Sequence, residues 1–210
     1  MLMRHGETEW NRARRVMGHL PIPLNETGVA QCRAAIPFLA AMGIRRIVAS
    51  PLMRARESAD IVAAGLGLPV ETDAGLCDVD FGAWAGREYD ELTPTAEYRH
   101  YRTDPVRNAP PAGETISVVQ ARGLAALERA LGQLDGGRLL IVSHGDLIRS
   151  LLCHLLGVEL AQYRRLRVDN GSVSAADIRN GAVRVQFVNF VVDSASRWAC
   201  VPEGGERGEL

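Results

Sequence analysis

Lysine is absent from this chain: all 24 basic residues are arginine, a bias better explained by the base composition of the source genome than by function. Cysteine is scarce. Cys32, Cys77, Cys153 and Cys200 lie far apart and form no C-x-x-C pair, which excludes a zinc cage and a dense disulfide scaffold and leaves buried or free thiols. No apolar run approaches the roughly 18 residues of a membrane span. No charged-then-apolar leader precedes a small-residue cleavage site, so a soluble, cytoplasmic protein without a membrane partner is expected. Net charge is nearly absent as well, at −1. That balance excludes a general nucleic-acid surface and confines any anion-binding role to a local cluster of arginines. Internal repeats and low-complexity tracts are missing too.

What remains is 210 residues with 47% apolar content, enough for one sizeable core and one domain. Short runs rich in Val and Ile alternate with stretches of helical period. Leu2-Met3, Arg46–Ala49 and Leu139–Val142 read as strands, each too short and too apolar for a surface helix. Val29, Cys32, Ile36 and Leu39 mark a helix that Pro37 should kink. Further helices are expected from Leu52 to Ala64, stopping at Gly65 or Gly67, from Ile116 to Leu131 before Gly136-Gly137, and from Leu147 to Leu155 before Gly157. Ser172–Ile178 and Val183–Phe190 flank Asn180-Gly181, a hairpin turn signal. The alternation predicts an α/β sandwich on a mostly parallel sheet. The domain should span residues 1–193, with residues 93–112, rich in Pro, Arg and Tyr, as a lid-like excursion and 194–210 as a loosely held tail.

Ligands of open α/β sheets bind beyond the carboxyl ends of the strands. Three strands here end alike, at Arg4-His5-Gly6, at Ala49-Ser50-Pro51 with Arg54 in the next helical turn, and at Ser143-His144-Gly145. Two arginines and two histidines therefore converge where helix N-termini add backbone N–H groups and partial positive charge. Singly, each has a plainer role, a surface ion pair for an arginine or a hydrogen-bonded structural group for a histidine. Gathered away from water they cost several kcal/mol each, by order of magnitude, unless an anion is meant to join them. A phosphate fits such a pocket.

The stretches RHGETEWN, GHLPIPLNETG, SPLMRARESA, LCDVDFGAWAG, GET and VSHGDLIRSLL resemble, in order, the signature blocks of the histidine phosphatase superfamily, which includes the cofactor-dependent phosphoglycerate mutases. The resemblance runs from residue 4 to about residue 152, with Asn170-Gly171-Ser172 fitting beyond it. It implies a three-layer α/β/α sandwich around a mostly parallel mixed sheet. It also implies that His5 takes the phosphoryl group as nucleophile and that Arg4, Arg54 and His144 hold the transferring oxygens. Asn11, Gly145 through its N–H, and Ser50 would complete the cradle. No metal and no cofactor are implied.

The sequence departs from the family at three places. Asp78 stands where the family usually has a Glu, the expected acid for the leaving alkoxide, so a residue one methylene shorter must reach or share the work with Asp80 or Glu7. Ala85 replaces a common acidic residue, while Trp84 and Gly86 remain. Only Met1, Leu2 and Met3 precede Arg4, fewer than in similar sequences, so a short first strand is expected, either clipped or incompletely represented. The chain lacks the mid-sequence insertion of the mutases and has SHGD where they have AHGN. Hydrolysis of sugar, nucleoside-like or glycerate phosphates is therefore preferred to mutase-type transfer. Tyr98, Arg99, His100, Tyr101 and Arg102 are candidates for touching the leaving group, by virtue of the lid-like segment they occupy. Two readings from other classes stand beside this one. A metal hydrolase would use His5, His144 and Asp78 as ligands, although Arg4 and Arg54 would repel the cation; the other is a catalytically weak binder of phosphorylated ligands. The expected partner is a small phosphorylated metabolite, with homodimer formation left open.

Overall fold

A strand turns successive side chains to opposite faces, and these apolar runs are apolar at nearly every position, so both faces of the sheet need cover. The computed structural model describes residues 1–179 and 181–192. Its strands are β1 (Leu2–Arg4), β2 (Ile44–Ala49), β3 (Val70–Thr72), β4 (Arg138–Ser143), β5 (Val173–Arg179) and β6 (Ala182–Phe190). The helices are α1 (Glu9–Arg12), α2 (Glu26–Ala41), α3 (Met53–Leu66), α4 (Tyr89–Leu92), α5 (Ala96–Thr103), α6 (Ile116–Gly132) and α7 (Gly145–Leu156). One sheet forms in the order β3-β2-β4-β1-β5-β6. Strands β1 to β4 pair in parallel, and β5 and β6 join antiparallel on the β1 side.

The pleat divides the core in two. Met3, Ile47, Ala49, Leu140 and Val142 pack with Cys32, Phe38 and Leu39 of α2 and Ala59 and Val62 of α3. Leu2, Val48, Leu139 and Ile141 pack on the other side with Val119 and Leu127 of α6 and Leu147 and Leu151 of α7. Helices on both faces of a mixed, mostly parallel sheet make the expected three-layer sandwich. In register, Arg4 lies opposite Ser143, and Ala49 opposite Val142, so the polar ends of β1, β2 and β4 finish level on one edge.

Several local expectations are adjusted. Helix α2 is one continuous element through Pro37, because the buried stripe Cys32, Ala35, Phe38 and Leu39 outweighs the one hydrogen bond that proline cannot donate. Helix α3 ends at Gly67, in the left-handed conformation (φ 68°) that glycine adopts without a Cβ clash. The excursion at 93–112 carries helix α5, anchored by buried Tyr101. Tyr101 stacks edge-on against Trp84 at 5.4 Å and Phe81 at 6.4 Å. Strand β1 is short, as expected. The tail at 194–210, Cys200 and Asn180 of the hairpin turn lie outside the described residues; the other three cysteines are buried and free. Among the described residues, no helix is long and apolar enough to cross a membrane.

One backbone contact couples the sheet edge to α2. A Cβ on Gly28 would stand 2.1 Å from the Glu7 carbonyl oxygen, and one on Gly6 would stand 2.4 Å from that of Gly28. Neither neighbour is a side chain that can turn aside. Gly28→Ala is therefore expected to destabilise the protein by about 1–3 kcal/mol or more, read as a lower urea midpoint. Gly132→Ala, in an exposed last turn with open space around it, should leave the midpoint unchanged or raise it slightly. Equal midpoints for both variants would contradict this account.

Candidate active site

The close approach of Gly6 to Gly28 lets the chain turn sharply after β1, and three hydrogen bonds fix the turn. The His5 N–H donates to Ser143 O at 2.9 Å. The Gly6 N–H donates to Ser58 Oγ at 3.0 Å, and Asn170 Nδ2 donates to His5 O at 3.2 Å. The His5 ring is buried, with Nδ1 2.7 Å from Gly6 O. A carbonyl can only accept, so Nδ1 carries the hydrogen and Nε2 keeps its lone pair. Arg54 Nε–H points at that lone pair from 3.3 Å.

Arg54 enters from the first turn of α3 and is fully buried. Its Nη2 donates to Gly18 O and Asp78 Oδ2, both at 2.9 Å. Asp78 sits in a segment without regular structure between β3 and α4, and its Oδ1 accepts the Val79 N–H at 3.0 Å. His144 closes the group from the end of β4. Its Nε2 lies 2.8 Å from Ser50 Oγ, its Nδ1 3.7 Å from Asp78 Oδ2, and its ring centroid 5.2 Å from that of His5. Arg4 completes the floor, held by Nη1 donating to Val168 O at 2.7 Å.

Two buried nitrogens in this group lack a partner: Arg4 Nε and His144 Nδ1. Buried polar atoms are normally paired, and both of these belong to the cluster around His5. Helix α7 adds to them, since its N-terminus has no side-chain cap and begins at Gly145. A Cβ on Gly145 would stand 3.3 Å from Arg4 Nε and 3.2 Å from Arg149 Nη1, so a glycine keeps room beside both guanidinium groups. Above lies a cleft of about 350 Å³, lined by Arg4, His5, Asn11 and Asp78 among others. A second compartment of about 290 Å³ shares Phe81, Tyr89, Asp146 and Arg149 with it and extends to Tyr98, Tyr101, Arg102 and Arg164. An apolar cavity of about 560 Å³ elsewhere on the molecule, bordered by Leu127, Leu152 and Phe187, contains none of the candidate residues.

Burial sets the charges. It lowers the pKa of His5 well below the usual histidine value, with Arg54 and Arg4 reinforcing the shift. It does the same to His144, so both rings are neutral near pH 7. Burial also raises the pKa of Asp78, outweighing the nearby Arg54, and lowers that of Arg54 despite its carboxylate partner. Arg4 is pushed down to about 10, first by burial and then by Arg149, and stays charged. The site thus offers a neutral imidazole lone pair, fixed cations, and a carboxyl group biased toward keeping its proton.

The structure brings together Arg4, His5, Ser50, Arg54, Asp78, His144 and Gly145 from segments distant in sequence. Asn11 lines the cleft. Its Oδ1 accepts from the Thr8 N–H, the Thr8 hydroxyl and Asn170, which leaves its NH₂ group for a ligand. Tyr98, Tyr101 and Arg102 line the second compartment, but Arg99 and His100 do not. Both are exposed on α5, where Arg99 donates to Pro94 O; a helix cannot turn five consecutive side chains to one face. Glu7 and Asp80 are occupied elsewhere, with Asn25 Nδ2 and the Gly82 N–H respectively. As a metal ligand, Asp78 would have to give up the arginine on its Oδ2, and among the described residues no group of three or more His, Cys, Asp or Glu could hold a metal ion.

Four contributors are not evident from sequence. Asp146 and Arg149, in the matched SHGD block and one turn beyond, form a 2.9 Å ion pair beside the cleft. Asn170 ties the loop before β5 to His5 O. Arg122, an unremarkable helical arginine, donates to three carbonyls around Asp78. The i, i+3 spacing of the first pair and the fit of Asn170-Gly171-Ser172 to the family pattern are the usable signals.

Comparison with known proteins agrees with this geometry. The model of the histidine phosphatase superfamily (branch 1) matches residues 1–191. A probable phosphoglycerate mutase, GpmB, of Yersinia pestis is 38% identical over 178 residues, 84% of this chain and 83% of its own. The solved structure of Bacillus stearothermophilus YhfR superposes with a TM-score of 0.85 at 30% identity, over 90% of this chain and 96% of that one. A mycobacterial glucosyl-3-phosphoglycerate phosphatase complexed with VO₃ gives a TM-score of 0.83 at 28% identity, over 90% and 97% of the two chains. A family match over nearly the whole chain, on a fold that places the matched blocks around one buried histidine, shows that this protein belongs to the histidine phosphatase superfamily.

Proposed function

We propose that the protein hydrolyses small phosphate monoesters through a phosphohistidine on His5. The observation that carries this reading is the pair of buried, unpartnered nitrogens, Arg4 Nε and His144 Nδ1, beside the His5 lone pair. With Ser50 donating its hydroxyl hydrogen to His144 Nε2, Nδ1 carries a hydrogen, and the cluster presents donors with no acceptor. A phosphoryl group supplies the acceptors.

His5 Nε2 attacks phosphorus, the bond to the ester oxygen breaks, and the leaving alkoxide takes the proton of Asp78. Arg4, Arg54, His144, the Asn11 NH₂ group and the Gly145 N–H hold the three transferring oxygens, where fixed donors stabilise the charge that spreads in the transition state. Water then attacks the phosphohistidine and gives its proton to the Asp78 carboxylate. Phosphate leaves, and both groups are restored. Splitting one displacement into two is the gain from covalent catalysis. The resemblance to a glucosyl-3-phosphoglycerate phosphatase and the absence of a mutase-type insertion both favour hydrolysis over transfer. The second compartment, with three arginines against one aspartate, suits a leaving group with its own negative charge.

Three outcomes test this. His5→Ala should abolish turnover while the protein stays folded, and acid-labile phosphate trapped on the wild type after base quenching should be missing from the variant; near-normal activity would overturn the covalent route. Asp78→Asn should lose about 10²-fold or more on an alkyl phosphate and far less on nitrophenyl phosphate, whose leaving group needs no proton. Since the pKa of Asp78 is raised, the wild-type rate on the alkyl substrate should fall as pH rises through that value, and Asp78→Asn should lack this limb. Equal losses on both substrates would make Asp78 structural. Finally, Arg102→Gln with Arg164→Met should raise KM for 3-phosphoglycerate about fivefold, as expected for partly exposed charges, and leave KM for glycerol 3-phosphate unchanged. A parallel rise for both would show that the compartment does not sense the second charge.

A further inference from the structure

Asp78 is borne by a segment that has no ladder of its own, and a shortened acid tolerates little error in where its backbone stands. Residues 77–81 belong to no helix or strand, so their carbonyls need partners from elsewhere. Arg122 of α6 supplies them. Its Nη1 donates to Gly75 O at 2.9 Å and Cys77 O at 2.6 Å, and its Nη2 donates to Asp78 O at 2.7 Å. The remaining hydrogens go to Glu114, from Nη2 at 2.5 Å and Nε at 3.2 Å. A guanidinium has five N–H donors in a rigid fork, and all five are engaged.

Glu114 fastens the other side of the segment. Its Oε1 accepts the Asp80 N–H at 2.9 Å, and its own N–H donates to Asp80 O at 3.0 Å. Asp78 is thereby clamped between Arg122 on its preceding and own carbonyls and Glu114 two residues on. His19 Nε2 adds a second bond to Asp78 O at 2.8 Å, and the Ser143 hydroxyl at the end of β4 donates to Leu76 O at 2.7 Å. The ion pair is mostly shielded, with side chains 22% and 17% exposed, and Arg122 does not line the cleft.

We propose that Arg122, backed by Glu114, is a positioning residue that holds the segment so that the short Asp78 carboxyl meets both Arg54 and the ester oxygen. Neither side chain touches the substrate. The clamp acts most on the proton-transfer step, because the phosphoryl cradle of Arg4, His5, Arg54 and His144 is built on other elements and meets this segment only through the Asp78 carboxyl, at Arg54 and His144. The proposal rests on the reading of Asp78 as the acid. That reading fails if Asp78→Asn itself does not discriminate between leaving groups; the clamp fails if Asp78→Asn discriminates and the Arg122 variants do not.

The test compares kcat on glycerol 3-phosphate and nitrophenyl phosphate for Arg122→Met and Arg122→Lys. Arg122→Met should lose most of the acid's contribution, about 10²-fold on the alkyl substrate, with a loss of only a few-fold on the aryl one. Arg122→Lys, able to reach some of the carbonyls, should fall between. Adding Asp78→Asn to Arg122→Met should cost nothing further on the alkyl substrate, since the two act as a unit. Adding Asp78→Glu should recover part of the lost alkyl rate, because one extra methylene restores reach from a displaced backbone. If Arg122→Met does not fold, Arg122→Lys and Glu114→Gln carry the same comparison. Equal losses on both substrates, additive double variants, or no recovery by Asp78→Glu would overturn the proposal.

Discussion

The structure depends on keeping cationic groups out of water at the end of a parallel sheet without neutralising all of them. Arg54 is fully buried and Arg4 partly so, with its Nε shut off from water, and removing such ions from solvent costs up to several kcal/mol each, by order of magnitude. Part of that cost is offset inside the protein, by Asp78 and Gly18 O for Arg54 and by Val168 O for Arg4. The offset is incomplete, since Arg4 Nε and His144 Nδ1 keep no partner. The glycine contact at Gly6 and Gly28, the Ser58 and Asn170 hydrogen bonds and the Arg122 clamp all hold this incompletely paired group against relaxation. An anion is what the fold leaves for the substrate to bring.

The same burial assigns the chemical roles. Low polarity disfavours whichever form of a group is charged, so it lowers the pKa of His5 and His144 and raises that of Asp78. A neutral nucleophile and an acid biased toward keeping its proton are thereby set side by side, which water-exposed imidazole and carboxyl groups would not provide. Arg54 sharpens the division. It sits against both His5 Nε2 and Asp78 Oδ2, helping to keep the imidazole unprotonated while limiting how far the acid's pKa climbs.

Much of this is legible in the sequence, for identifiable reasons. Polar residues that end strands just before a turn or helix place themselves, so Arg4-His5, Ser50 with Arg54, and His144-Gly145 can be assigned to one edge from hydrophobic pattern alone. The match to family blocks then names Asp78. What stays hidden depends on long-range contacts. Strand β3 is three residues with two exposed side chains, too brief to show a period. Arg122 lies on a helix face like any other arginine until the segment at 75–80 folds against it. Arg99 and His100 group with Tyr98 and Arg102 by proximity in sequence, whereas α5 turns them away from the cleft. Pro37 reads as a kink by local propensity, and packing carries the helix on through it as one element.

Whether a phosphohistidine is hydrolysed or handed to a second alcohol is decided after the first step, by how long the leaving group stays. Both outcomes use the same nucleophile, cradle and acid, so the sequence blocks common to the superfamily cannot separate them. Retention depends on the second compartment. There Arg102 is exposed, Arg164 is held 4.9 Å above the rings of Tyr101 and Tyr163, and Arg149 is already paired with Asp146. Contacts to charges open to solvent are weak and fade with salt. Such contacts can distinguish one leaving group from another on the way in, and how firmly they hold the product alcohol decides whether water or a second alcohol meets the intermediate.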